Sequence, residues 1–310
     1  MNGIVIIDKP VDMTSYDVIR SLKRIFDTKK IGHGGTLDPF ASGLLVIAIN
    51  DATKIIRYFL DGDKEYTAKL KFGEMTDSYD RMGKVISTSD APAVSEDTLR
   101  GALNGFRGET MQTPPMFSAK KRDGVKLYEL ARQGIEVDRV PVKVVIKELE
   151  LVDYSFPYAE IRVLCSKGTY IRSLANDIGI ALGTYAHLTE LRRTKSSQFD
   201  IGRAYRLDDL LAAKDDGRLN ECMINMNDAL SFIPAVTVDD DVKQKIRHGV
   251  QLSDEDVKRE SGDKATVGMG GGLLKVIADD GELIALIRYA DEDIIGEEAR
   301  KYKYERVFLK

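Results

Sequence analysis

Lys30-Ile31-Gly32-His33-Gly34-Gly35-Thr36-Leu37-Asp38-Pro39-Phe40-Ala41-Ser42-Gly43-Leu44-Leu45 is the stretch around which the chain is organised. It holds four glycines, a proline, one of the chain's three histidines and a single carboxylate, Asp38. The apolar run Leu44-Leu45-Val46-Ile47-Ala48-Ile49 follows at once and predicts a buried strand. Glycine has no Cβ, so a Gly-rich loop held against such a strand lets the backbone approach a ligand closely. Asp38-Pro39 would also suit a plain tight turn. The loop is longer than a turn needs, however, and carries only one acid.

The rest of the composition narrows the setting. A chain of 310 residues, 43% hydrophobic and 31% charged, can bury a sizeable core as one large domain plus a small one, or as two medium domains. No apolar run approaches the roughly eighteen residues of a membrane span, and the N-terminus lacks a signal-peptide pattern. A cytoplasmic protein is expected. Cys165 and Cys222 lie far apart, and His33, His187 and His248 are scattered, so neither a disulfide nor a metal site is predicted. The glycines from Gly268 to Gly272 lack the Gly-Lys-Ser/Thr ending of a phosphate loop. No cofactor is expected.

A net charge of −4 does not suggest a nucleic-acid partner, but the charge is unevenly spread. Between Cys165 and Arg206 there are seven bases, Arg172, Arg192 and Arg193 among them, against three acids. Between Gln112 and Arg132 there are five bases against two acids, while acids concentrate from Thr237 to Asp263. Phosphate contacts need a local basic face rather than a basic protein.

In chain order, Gly3 to Ile7 predicts an opening strand ended by Asp8-Lys9-Pro10. Thr14 or Ser15 caps a helix with Val18, Ile19, Leu22 and Ile25 on one face. A short helix is predicted from Ala52 to Phe59. Lys64 to Phe72 alternates as a half-buried strand with Tyr66, Ala68, Leu70 and Phe72 inward. Ser95 caps a further helix through Leu103. Pro114-Pro115 keeps Gln112 to Gly124 extended, and Gly134 ends the helix that follows. The strand Ile161 to Cys165 leads through Gly168 to a helix that Thr169 can cap, with Tyr170 and Arg172 in its first turn. His187 to Thr194 is predicted as an extended edge. From about Phe232, short alternating segments appear, with Asp280-Gly281 as a hairpin signal.

Gly32-His33-Gly34-Gly35-Thr36-Leu37-Asp38-Pro39 resembles the catalytic signature of the tRNA pseudouridine-55 synthases of the TruB type. The resemblance runs from Gly3 to about Phe199 through five ordered motifs, including Thr76 to Gly83 and the basic segment Lys120 to Tyr128. The chain departs from the family at Gly34, usually Thr, at Ser78, normally Thr, and at Ser197, usually Gly. The resemblance implies an α+β fold. A pseudouridine synthase core on a mixed, largely antiparallel sheet would occupy residues 1–231, with a thumb-like insertion at about 112–140. A small PUA-like β-barrel would occupy 232–310.

It also implies an RNA isomerase in which Asp38 is the nucleophile and Arg172 pairs with it. Tyr66 and Tyr170 would pack against a flipped uridine, Leu191 would wall its pocket, and His33 would fill the vacated stack. The chemistry suits these residues. Moving uracil from an N1 to a C5 glycosidic bond needs neither redox nor phosphoryl transfer, only a nucleophile that holds one fragment while the base turns. Burial raises a carboxylate's pKa and a guanidinium lowers it again. The partner implied is tRNA, at the T arm and the acceptor end, with no membrane, no obligate protein partner and a monomeric state. Two other readings stand beside it: a guide-RNA-dependent pseudouridine synthase subunit, and a non-catalytic RNA-binding or RNA-folding protein.

Overall fold

The computed structural model describes residues 1–253, 256, 272–289 and 302–309. They divide into two compact units, one of Val5–Ile47 and Ile56–Leu219, the other of Met1–Ile4, Ala48–Ile55 and Asn220–Lys310.

The chain opens with β1 (Gly3–Lys9), α1 (Ser15–Ile25), β2 (Ile31–His33) and β3 (Ser42–Ile49). Thr14 and Asp17 form a capping box at the start of α1, and Val18, Ile19, Leu22 and Ile25 are its buried face, as the periodicity predicts. The helix predicted from Ala52 is instead a 3₁₀ turn at Asn50–Lys54 followed by α2 (Arg57–Leu60). The β-branched pair Ile55-Ile56, poor helix formers, lies at the break.

Next come β4 (Lys64–Phe72), the hairpin β5 (Glu74–Thr76) and β6 (Val85–Thr88), then α3 (Glu96–Asn104) and β7 (Gly108–Gln112). The basic segment forms a small hairpin, β8 (Lys121–Arg122) with β9 (Val125–Lys126), followed by α4 (Leu127–Arg132). After it come β10 (Val142–Ser155), β11 (Tyr158–Cys165), α5 (Ile171–Ala181), β12 (Ala186–Ser196), β13 (Phe199–Asp200) and α6 (Leu207–Asp215).

The central sheet has the order β1-β3-β12-β4-β11-β10-β7, with β2 beside β3 and β13 beside β12. It is mixed. β3 and β12 run parallel, whereas β4 is antiparallel to β12 and β11, and β10 to β11 and β7. The stretch predicted as an edge is therefore an interior strand, β12, paired on both sides. Its outer face stays charged because an antiparallel sheet can keep one face in water. The other face packs on helices. Tyr66, Ala68, Leu70 and Phe72 of β4 share a core with Leu99 and Leu103 of α3 and with Leu174 and Ile178 of α5.

The other unit contains α7 (Met226–Ala229), β14 (Ala235–Val238), α8 (Asp240–Arg247), β15 (Leu273–Ala278), β16 (Leu283–Tyr289) and β17 (Tyr302–Val307). The Ile4 N–H donates to the Ile224 carbonyl at 2.8 Å, and Lys54 Nζ to the Val307 carbonyl at 3.4 Å, which explains why early segments belong here. The Asp280-Gly281 hairpin forms between β15 and β16, with Gly281 at φ 83°. A barrel is expected from the sequence. The described residues form an open sheet, β14-β15-β16-β17, packed on Val242 and Ile246 of α8. Gly268 to Gly271 lie outside the described residues. Among the described residues no helix is long and apolar enough to cross a membrane.

Candidate active site

Asp38 lies in the loop between β2 and β3, and its neighbours on both sides are pinned. The Leu37 N–H donates to Ser15 Oγ at 3.0 Å, and that hydroxyl donates back to the Leu37 carbonyl at 3.1 Å. The Pro39 carbonyl accepts from the Asp12 N–H at 2.8 Å and from Lys9 Nζ at 3.3 Å. Lys9 is fully buried, and its ammonium also donates to the Pro10 and Met13 carbonyls. Burial brings its pKa down to about 8, with Asp38 pulling the other way.

Arg172 approaches from the first turn of α5 and is only 4% exposed. Its Nε lies 2.9 Å from Asp38 Oδ2 and its Nη2 3.3 Å from Oδ1, a two-pronged pair. The remaining donors bind the Ser78 carbonyl at 3.0 Å and the Phe117 carbonyl at 2.8 Å. Asp80, also buried, sits 3.4 Å from Nη1 and accepts from Ser78 Oγ at 2.7 Å. Burial pushes the Asp38 carboxyl up, Arg172 pulls it down, and Asp80 adds an upward push; the net direction is up. The Asp38 side chain is still 36% exposed, so it remains open to an incoming ligand.

Tyr170 occupies the N-cap position of α5, not its first turn, and no side chain caps the helix. Thr169, expected as the cap, instead donates to the Ser166 carbonyl at 2.9 Å. The Tyr170 backbone is held by the Gln112 side chain, which accepts from its N–H at 2.8 Å and donates to its carbonyl at 3.0 Å. Asp38, Tyr66, Tyr170, Arg172 and Leu191 come together around one cleft of about 820 Å³, into which Phe117 also projects. His33 is not among the residues lining it. It lies on β2 with its Nδ1 buried and unpartnered among the described residues, its pKa lowered by burial and by Arg193.

Four residues of this arrangement were not singled out by sequence reasoning: Lys9, Asp80, Gln112 and Arg193. Lys9 and Asp80 fall inside the quoted motifs, but nothing in a turn or an acidic loop marks which member is buried. The basic face is smaller than its charges suggest. Arg172 and Arg193 are 4% and 1% exposed, so two of the seven bases between Cys165 and Arg206 point inward and offer nothing to a phosphate.

A half-buried, arginine-paired carboxylate beside aromatic rings in an open cleft can attack a planar electrophile. Comparison with known proteins gives the class. The family model "TruB family pseudouridylate synthase (N terminal domain)" matches residues 23–171, and "tRNA pseudouridylate synthase B C-terminal domain" matches 172–231. The chain is 43% identical to tRNA pseudouridine synthase B of Clostridium tetani over 82% of its own length and 87% of that protein. The namesake of Bordetella avium is 50% identical over 69% of this chain and 89% of its own. A chain of a crystallised Cbf5-Nop10-Gar1 complex superposes with a TM-score of 0.73 at 28% identity, covering 99% of this chain and 85% of that one.

Fold and site thus define a pseudouridine synthase, an isomerase. The chain belongs to the TruB family of pseudouridylate synthases.

Proposed function

We propose that the protein isomerises uridine 55 in the T loop of tRNA to pseudouridine, with Asp38 as the nucleophile. The observation that carries this reading is the two-pronged Asp38–Arg172 pair beside Tyr66, Tyr170 and Leu191. The target base is stacked in an RNA loop and must be flipped out, as for other enzymes that do chemistry on a base. Tyr66 and Tyr170 offer it aromatic surface, Leu191 a wall, and His33 occupies the stack it leaves.

Asp38 attacks either C6 of the base or C1′ of the ribose. The N1–C1′ bond breaks and a C5–C1′ bond forms. The C5 proton is lost and N1 gains one, so atoms and electrons balance without a co-reactant. Arg172 keeps the carboxylate ionised and aimed. The segment at about 112–140 closes over the RNA arm, and residues 232–310 act as a PUA-like appendage that grips the acceptor end. The enzyme works in the cytoplasm as a monomer, without cofactor, metal or obligate protein partner.

Relatives named tRNA pseudouridine synthase B, 38–50% identical over 69–92% of the chain, support tRNA as the substrate. A second reading, a guide-RNA-dependent subunit, draws on the likeness to the Cbf5-containing complex. One incubation separates them. An unmodified tRNA transcript with no guide RNA should gain pseudouridine at position 55, and a requirement for guide would overturn the stand-alone reading. Asp38→Asn should abolish turnover while tRNA affinity stays within about tenfold, because recognition is spread over many phosphate contacts. Measurable turnover by that variant would remove Asp38 from the role.

A further inference from the structure

Arg193 is a charged side chain with 1% of its surface exposed, and among the described residues it makes no ion pair. Burying an isolated charge is costly, and a residue of similar volume such as methionine would pack without that cost. Two more cations are buried close by, Lys9 and Lys64, whose ammonium groups bind main-chain carbonyls, and their repulsion with Arg193 adds to the cost. Something specific keeps the guanidinium there.

Its hydrogen bonds show what it touches. Nε donates to the Leu44 carbonyl at 2.7 Å and Nη2 to the Gly35 carbonyl at 3.0 Å. Gly35 and Leu44 flank Asp38, so one planar group ties together the two roots of the catalytic loop. The sheet register sets Arg193 of β12 directly opposite Tyr66 of β4. The Tyr66 phenol is therefore bounded by the Arg193 guanidinium on one side and lies within reach of the Asp38 charge. The parallel pairing of β3 with β12 is close enough to dictate Gly43, where an added Cβ would overlap the Arg193 carbonyl oxygen.

We propose that Arg193 is a positioning residue for the isomerisation: it fixes the Tyr66 hydroxyl and the root of the Asp38 loop together, so that ring and carboxylate meet the flipped base in one arrangement. This rests on the roles given above to Asp38 and Tyr66. A purely structural arginine would stabilise the loop whatever stood at position 66. A positioning arginine acts through the phenol.

Single-turnover rates on a tRNA transcript, with affinity measured separately, distinguish these for Arg193→Gln, Tyr66→Phe and the double variant. Arg193→Gln should slow the chemical step about a hundredfold, the scale of a misplaced reacting group, with affinity unchanged. In the Tyr66→Phe background the same change should slow it less than about tenfold, because coupled residues are not additive. Equal slowing in both backgrounds overturns the proposal.

Arg193→Lys keeps the cation and loses the planar fork, so it should not restore the rate. It carries the same cycle if the glutamine variant does not fold. Turnover by Asp38→Asn would defeat the nucleophile assignment while leaving this cycle readable. A silent Asp38→Asn with equal slowing in both Arg193 backgrounds would defeat the present proposal alone.

Discussion

At the scale of residues, the proposed chemistry turns on keeping one carboxylate charged where burial favours its neutral form. The Asp38 pKa is raised by desolvation and held back by Arg172. If Asp38 is the nucleophile, turnover requires the anion, and activity should fall as pH drops through that raised value, at a pH above the ordinary carboxylate pKa of 3.8. Arg172→Gln removes the largest opposing cause, and in any residual activity the acid limb should move to still higher pH. Arg172→Lys keeps the charge but cannot reproduce the two-pronged contact, so a rate loss of at least about a hundredfold is expected in a single-turnover assay. Asp38 was legible in the sequence as the lone acid of its loop, and its pairing with Arg172 came from the family resemblance. Arg193 was not legible as part of the site, because a count of charges cannot tell a base that faces phosphate from one that faces a carbonyl.

At the scale of elements, alternation located β4 and the capping signals located α1 and α3, because those patterns are set within a few residues. The interior place of β12 was not readable from its sequence. Its solvent face carries Glu190 and Lys195 whether it has one neighbour or two, and strand order is decided by residues far away. The turn after β12 shows how far local sequence can bend. Ser197 stands where glycine is usual, and it adopts φ 55° in the two-residue link to β13. Left-handed backbone costs a non-glycine residue about 1 kcal/mol, so Ser197→Gly should raise the thermal midpoint by a few degrees. Gly43, at φ 98°, is the opposite case. Gly43→Ala adds both that strain and an overlap with β12 backbone, and it should destabilise by about 3 kcal/mol or more in denaturant unfolding.

At the scale of the whole molecule, deleting everything from residue 232 would be a poor test of the appendage. Buried Ala48, Ile49, Ala52 and Ile55 belong to the same unit and would lose packing. Reversing the exposed Lys303 and Arg306 to Glu is cleaner. If this unit grips the acceptor end, the variant should bind full-length tRNA more weakly while binding an isolated T stem-loop as before. The slope of log affinity against log salt should flatten by about one for each phosphate the variant no longer neutralises. Equal weakening for both RNAs would count against the acceptor-end role. The tie from Arg193 to Gly35 joins residues 158 positions apart, and that separation gives the enzyme a birth order. At about 5–20 residues per second, a ribosome extrudes the loop some 8–30 seconds before the arginine that closes it. Throughout that interval the nascent chain carries Asp38 on a loop with neither its clamp nor its central strand. β12 lies between β3 and β4 in the sheet and carries the arginine, so the bonds to Gly35 and Leu44 can form only after that strand has emerged.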